Sequence, residues 1–288
     1  MSKIHIIYSI CLFHLKSLFD IVIWFFVQIL RENFTNYIEY KPNRGQIYLL
    51  ANGPSLSKDI PLIIDELKNN YVCVVNHFCN SFYYTIIKPS YYILADPAFL
   101  TEKYMNNEAL KTLDLLQNLT KWDMTLFVPF SKKKYITRRF KKESNITIIP
   151  FHSNSYTGWT SVSNYLYRIG LSMPKALNVL IPQILIAINS GFNEIKLYGV
   201  DHSWTLDLFV NDQNIVCSRD IHFYDNEEQL KYKPYKNING EPYKMWDLLY
   251  YLAQVFEAYP QLRIYAESRG CKIYNMTKGS FIEAFKRC

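Results

Sequence analysis

The 288-residue chain is short of the patterns that name common chemistries at sight. Its 9 glycines form neither a GxGxxG dinucleotide fingerprint nor a GxxxxGKS/T phosphate loop. Its six cysteines (Cys11, Cys73, Cys79, Cys217, Cys271, Cys288) contain no CxxC pair and no metal-ligand spacing. They fall in apolar stretches or at the end of the chain, as expected of free thiols in a reducing compartment. No zinc site is therefore expected, nor a disulfide framework. There is no internal repeat and no low-complexity segment, which excludes a solenoid. No tract of Lys and Arg interleaved with aromatics suggests a nucleic-acid groove, so nucleic acid is not an expected partner.

What is present is an ordinary globular composition, 49% hydrophobic and 20% charged, which excludes disorder as the main state. Tyrosine is abundant at 24 copies, a bias that an AT-rich genome would also produce. The net charge of +7 suits contact with anionic lipid or phosphorylated substrates. Lys132–Lys134 with Arg138, Arg139, Lys141 and Lys142 form the densest basic cluster. Its plain role is a solvated helix face; headgroups or an anionic substrate are the partners it would suit.

Residues 4–30 are the most apolar part of the chain. A spanning helix needs about 20 nearly uninterrupted apolar residues. Lys16 and Asp20 fall in the middle of this run, and each costs roughly 2.5–3.5 kcal/mol at a bilayer centre. Their i,i+4 spacing lets them pair, and no small-x-small cleavage site follows. The expectation is helix lying in the membrane interface or docked on a partner; the plain alternative is an arm packed on the protein's own core.

From Gln46 onward short apolar runs alternate with amphipathic ones, the pattern of βα units. Strands are expected at Ile47–Ala51, Tyr71–Val75, Tyr91–Ala95, Thr125–Pro129, Ile146–Ile149, Glu194–Tyr198 and Arg263–Ala266. Helices are expected at Ser57–Lys68, Pro174–Ser190, Lys244–Ala258 and Thr277–Lys286. The predicted fold is α/β, a Rossmann-like, mostly parallel sheet with helices on both faces. Residues 1–40 form a helical arm, 41–288 the domain, and the loop-rich stretch 204–241 a small lid.

Ligands of open parallel sheets bind beyond the carboxyl ends of the strands. The residues there are Asn52-Gly53-Pro54-Ser55, Asn76-His77, Asp96-Pro97 and, after Gly199, Asp201-His202-Ser203. Asn52-Gly53 permits a tight turn and close backbone approach. Ser55 or Ser57 can cap the helix that follows, whose N-terminus favours anions. Asn76 offers donor and acceptor to a ribose or base, and Asp96 can bind a hydroxyl or merely cap a helix. Asp201 beside His202 can tune an imidazole, although neighbours on an extended chain point to opposite sides. His222, in the lid, can swing over the pocket as a general base or simply be exposed. His5, His14 and His152 carry no catalytic expectation.

Several of these segments resemble bacterial lipooligosaccharide sialyltransferases and the related motility-accessory, flagellin-glycosylation type of domain. They are Leu50-Ala51-Asn52-Gly53-Pro54-Ser55-Leu56, Val75-Asn76-His77-Phe78, Lys88-Pro89-Ser90-Tyr91, Ala95-Asp96-Pro97, the run Gly191 to Asp201, and Ile273 to Ser280. The islands are spread over about residues 46–285. The resemblance implies a glycosyltransferase with a single Rossmann-like domain, a small lid and no metal or other cofactor; the apolar N-terminal arm fits a membrane-associated one. Its donor would be a nucleotide sugar, most simply a CMP-activated nonulosonic acid such as sialic acid. The acceptor would be a surface polysaccharide or glycolipid, handled at the inner face of a bacterial membrane. It also implies that Asn52 and Asn76 contact the nucleotide, that a lid histidine is the base, and that tyrosine hydroxyls stabilise the leaving phosphate. The family's Arg-x-Thr-Ser-Gly stretch is replaced by Ala176-Leu177-Asn178-Val179-Leu180, and one tyrosine position by Ser203. Lys244 precedes the last long helix where a histidine is expected, leaving His222 as the nearest candidate. A pterin diphosphokinase-like enzyme and a non-catalytic nucleotide-sugar module are the alternatives, and self-association stays open.

Overall fold

The computed structural model describes residues 3–141, 144–219, 222–224, 232–237 and 239–288. Helix α1 (Lys3–Arg31) leads through residues 32–45 to strand β1 (Gln46–Leu50). Then come α2 (Leu56–Lys68), β2 (Tyr71–Val75), α3 (Tyr83–Ile87), β3 (Tyr91–Ile93), α4 (Pro97–Leu100), α5 (Asn107–Leu119) and β4 (Met124–Pro129). Next are α6 (Lys133–Thr137), β5 (Ile146–Phe151), α7 (Thr160–Arg168), α8 (Leu180–Asn189) and β6 (Glu194–Tyr198). Three short strands, β7 (Phe209–Val210), β8 (Val216–Ser218) and β9 (Lys233–Pro234), precede α9 (Met245–Ser268), β10 (Lys272–Asn275) and β11 (Lys286–Arg287).

The main sheet has eight strands in the order β11-β10-β6-β1-β2-β3-β4-β5, and every pairing is parallel. This is the expected Rossmann-like α/β fold. The chain winds outward from β1 to β5, then returns to the other side of β1 with β6. The strand order therefore reverses between β1 and β6, where an open sheet leaves a crevice at its carboxyl edge.

Alternation along the strands divides the core in two. Ile47 and Leu49 of β1 face α8 and α9, with Cys73, Ile195 and Leu197 beside them. Tyr48 and Leu50 face the other way, with Val72 and Val74, toward α2, α3 and α5. All of α8 is buried, including Gln183, whose Nε2 donates to the Cys73 carbonyl. Many tyrosines are structural: Tyr48, Tyr84, Tyr92, Tyr167, Tyr259 and Tyr265 are fully buried. Each hydroxyl has a hydrogen-bond partner, as a buried phenol requires.

The structure departs from the sequence expectations in three elements. The expected Arg263–Ala266 strand lies inside α9, which runs through Pro260 to Ser268. An interior proline costs a helix about 3 kcal/mol. The buried stripe Val255, Ala258, Tyr259, Leu262, Tyr265 and Ala266 keeps helical spacing across it, and burying such side chains returns about 1.5–3 kcal/mol each. The expected Thr277–Lys286 helix is a turn-rich segment ending in β11. Thr277 and Ser280 spend their side chains on the β6 exit: Val200 N–H donates to Thr277 Oγ1, and Ser280 Oγ donates to the Val200 carbonyl. Of the expected Pro174–Ser190 helix only Leu180–Asn189 is helical, because Asn178 Oδ1 accepts from Leu180 N–H and starts the helix there.

The stretch expected as a lid holds a three-stranded antiparallel sheet, β7-β8-β9. It packs on α9 through Val216, Leu248 and Leu252. Asp220, Ile221, Asp225 and the rest of 225–231 lie outside the described residues, as does Lys142 of the basic cluster.

Candidate active site

A cavity of about 390 Å³ opens at the β1/β6 reversal point. Its wall contains Asn52, Gly53, Pro54, Asn76, Asp96, Gly199, Asp201, His202 and His222. Ser55 stands immediately behind, hydrogen-bonded to Asp201.

The Asn52–Ser55 turn is held rigidly. Gly53 N–H donates to the Gly199 carbonyl at 2.9 Å. A Cβ at Gly53 would lie 2.0 Å from Asp201 Oδ2 and 2.4 Å from the Gly199 carbonyl oxygen, so only glycine fits. Gly199 adopts φ 67°, a left-handed conformation that glycine tolerates. Asp201 receives Ser55 Oγ on Oδ2 at 2.8 Å and Ser55 N–H on Oδ1 at 3.2 Å. Burial raises the Asp201 pKa, and the Ser55 bonds partly offset that.

This arrangement corrects the expectation of an open anion site at the start of α2. Neither Ser55 nor Ser57 caps the helix with its side chain; Ser57 Oγ donates to the Pro54 carbonyl. The amides of Ser55, Leu56, Ser57 and Lys58 all have protein acceptors, the first of them the Asp201 carboxylate. Asp59 adds a second carboxylate whose pKa is raised by burial and then by Asp201. A phosphate placed there would meet spent donors and like charge. Asp201 fastens the loop, and its carboxylate oxygens are both engaged.

The asparagines divide their functions differently. Asn76, at φ 46°, accepts the Ala95 and Asp96 N–H groups on Oδ1 and the Tyr92 hydroxyl on its carbonyl. It ties the end of β2 to the end of β3, and its Nδ2 donates to no described residue. Asn52 donates Nδ2 to the Val75 carbonyl at 3.3 Å, while its Oδ1 is buried without a hydrogen-bond partner. A buried acceptor left unmade costs about 1–3 kcal/mol, which a ligand donor would recover. Asp96 caps α4, accepting Ala98 N–H on Oδ1 at 2.8 Å. His77 leaves the pocket altogether: its Nδ1 pairs with Thr112 Oγ1 and its ring rests on Phe99.

The two candidate bases separate clearly. His202 is buried at φ 52°, its Nε2 paired with the Tyr259 hydroxyl at 2.5 Å and its ring 4.3 Å from Trp204. Burial pushes its pKa down to about 3, so it stays neutral and is a weak proton acceptor. His222 lines the cavity, half-buried, with its ring stacked on Tyr224 at 5.2 Å. Phe223 N–H donates to the Asn52 carbonyl at 3.1 Å, which brings Phe223 onto the turn.

Arg219, absent from the sequence candidates, also lines the cavity. It is paired with Asp207 at 2.7 Å and lies over the Tyr232 ring. Nothing in the local sequence distinguishes it from other loop arginines; only the β7–β9 fold carries it inward. Tyr235 and Tyr251 add two more side chains to the wall, the Tyr251 hydroxyl donating to the Leu177 carbonyl.

With this geometry established, a family model described as 6-hydroxymethylpterin diphosphokinase MptE-like matches residues 25–207, more than half of the chain. The chain belongs to this MptE-like family. Among solved structures, the MAf glycosyltransferase from Magnetospirillum magneticum AMB-1 shares 13% sequence identity and a TM-score of 0.51. The similarity covers 90% of this chain but 36% of that one, so it concerns the fold of one portion of a longer protein. No curated protein matches the chain in sequence. The matched region of this MptE-like chain holds Asn52, Asn76, Asp96, Asp201 and His202, whereas Arg219, His222 and α9 lie beyond it.

Proposed function

We propose that this chain is a glycosyltransferase that uses a nucleotide sugar, with a CMP-activated nonulosonic acid such as sialic acid as donor. The observation that carries the reading is the unpartnered Asn52 Oδ1 on a cavity wall that also holds His222. An acceptor oxygen beside a rigid turn suits a ribose hydroxyl or an exocyclic base amine. Asn52 and Asn76 Nδ2 hold the nucleoside, and the free oxygen of Asp96 takes a hydroxyl. Arg219 meets the phosphate, the tyrosines adding hydroxyl donors.

The reaction is a single displacement. His222 takes the proton from an acceptor hydroxyl as that oxygen forms its bond to the anomeric carbon. The bond from that carbon to the phosphate oxygen breaks, leaving a nucleoside monophosphate whose charge Arg219 stabilises. The acceptor is a surface polysaccharide or glycolipid, and no metal enters.

The family description favours a second reading, transfer of a diphosphate from ATP to a pterin with magnesium. The wall carboxylates do not fit a magnesium site. Asp201 is spent on Ser55, Asp207 pairs with Arg219, and Asp96 caps α4 with Oδ1, which leaves it one open oxygen.

A thermal-shift series with CMP, CDP, UDP, GDP and ATP, with and without magnesium, separates the readings. A ligand at about a hundred times its Kd adds about 2.7 kcal/mol of stability. Stabilisation by CMP without metal supports the transferase; stabilisation by ATP with magnesium alone supports the kinase. No response to any nucleotide sinks both.

A further inference from the structure

Helix α1 is inside out for an arm packed on a soluble domain. The side it turns to the protein carries Ser17, Trp24 and Gln28, all buried. Lys16 and Asp20 line a small cavity shared with Tyr156 and Glu257. Asn154 Nδ2 donates to the Trp24 carbonyl and to Gln28 Oε1, and Trp24 packs with Tyr156, Leu166 and Leu171. The opposite side is apolar and bare: Leu15, Phe19, Val22, Phe26 and Leu30 are exposed, Phe19 at 66% and Leu30 at 78%. Beyond the helix, buried Glu32 pairs with His152 Nδ1 at 2.9 Å, and the Thr35 carbonyl pairs with Nε2. Contacts from His14 to Glu32 thus pin the helix along the domain. They would have to break before it could cross a bilayer.

At the end of α1 lies an open groove of about 1380 Å³. Arg31, Lys132, Lys133, Lys134, Arg138 and Lys141 ring it, over a floor that includes Phe130, Phe140 and Ile148. No acidic side chain lines it among the described residues. Tyr37 stacks on Phe130 and lies under Lys133, joining the groove to the segment that leaves α1. A bare apolar helix flank beside a cationic groove matches the two layers of an anionic membrane surface, acyl chains and headgroup phosphates.

We propose that the chain docks on an anionic lipid bilayer with α1 lying in the membrane plane and the Arg31–Lys141 groove seated on headgroup phosphates. This reading is independent of the nucleotide reading of the cavity. The bound surface is read by vesicle flotation with the full chain. Vesicles of equal parts phosphatidylcholine and phosphatidylglycerol should float it, and phosphatidylcholine alone should hold far less. Each cation contributes about fivefold to such binding. The exposed-site variant Lys134→Gln/Arg138→Gln/Lys141→Gln should therefore bind anionic vesicles on the order of a hundredfold more weakly. Phe19→Ser/Phe26→Ser should lose binding while keeping its thermal unfolding temperature.

Orientation is read from nitroxide labels at Leu15→Cys and Leu30→Cys in a Cys11→Ser/Cys288→Ser background, which removes the exposed native thiols. In-plane docking gives both labels equal shallow depth. A spanning helix separates them by about 22 Å. Unequal depth, equal binding to both vesicle types, unchanged binding of the charge variant, or no binding to either vesicle overturns the proposal.

Discussion

The backbone N–H of Phe223 reaches the Asn52 carbonyl at 3.1 Å, joining a residue beyond β8 to the turn after the first strand. Residues so far apart in sequence meet because β6 returns beside β1 and the chain beyond it folds back over the crevice. The bond holds the neighbour of His222, which lines the cavity wall, against the turn.

His222→Gln should lower turnover by about a hundred- to ten-thousandfold, the usual worth of a positioned base, with nucleotide affinity little changed. His202→Asn should leave turnover nearly intact. Steady-state kinetics on both variants checks the assignment, and the reverse pattern overturns it.

His202 also sets a pH signature. The folded protein keeps this imidazole neutral down to about pH 3, whereas the unfolded one takes its proton near 6.5. Below 6.5 the unfolded chain binds the extra proton, so stability falls as pH drops toward 3, by up to ~1.4 kcal/mol per pH unit. Above 6.5 the residue adds no slope. Urea unfolding at a series of pH values should show the His202→Asn slope flattened by that amount; Asn tolerates the left-handed backbone there.

The orphan acceptor of Asn52 separates binding from stability. Asn52→Ala removes an unsatisfied buried oxygen and one long hydrogen bond, so unfolding free energy should change by less than about 1 kcal/mol. Nucleotide affinity should fall about tenfold or more, the loss of a ligand hydrogen bond worth ~1.4 kcal/mol. Calorimetric titration beside thermal unfolding measures both; a large stability loss would make Asn52 a structural residue.

Ser55→Ala deprives Asp201 of a charge-assisted hydrogen bond and should cost about 1.5–3 kcal/mol. Gly53→Ala drives a methyl into Asp201 and the Gly199 backbone, and overpacking costs at least about 1–3 kcal/mol. Nucleotide binding should fail in the glycine variant even at temperatures where it remains folded. Binding that survives would free this turn from any ligand role.

Much of the framework was legible in sequence because local pattern and tertiary demand agree there. Ile47 to Leu50, Val72 to Val75, and Ile195, Leu197 and Tyr198 are apolar and buried between two helical layers. Pro260 misled because a chain-local rule ends helices at proline, while the stripe from Val255 to Ala266 pays that cost through the core. The Thr277–Ser280 segment misled in the same manner, its side chains being committed to Val200 rather than to a helix of their own.

By itself the sequence determined the βα alternation, the polar strand ends at Asn52, Asn76, Asp96 and Asp201, and the apolar excess of residues 4–30. Each depends on side chains within a few positions of one another. The tertiary structure alone decided which of those polar groups are spent. Asp201 turns to Ser55, Asn76 to the end of β3 and His202 to Tyr259, whereas Asn52 Oδ1 is left unmet. It also decided that Arg219 enters the cavity and that α1 shows its apolar flank outward. The reason is physical: hydrogen bonds, desolvation and exposed faces are set by neighbours in space, and here those neighbours are brought together by the reversal of strand order at β1 and β6.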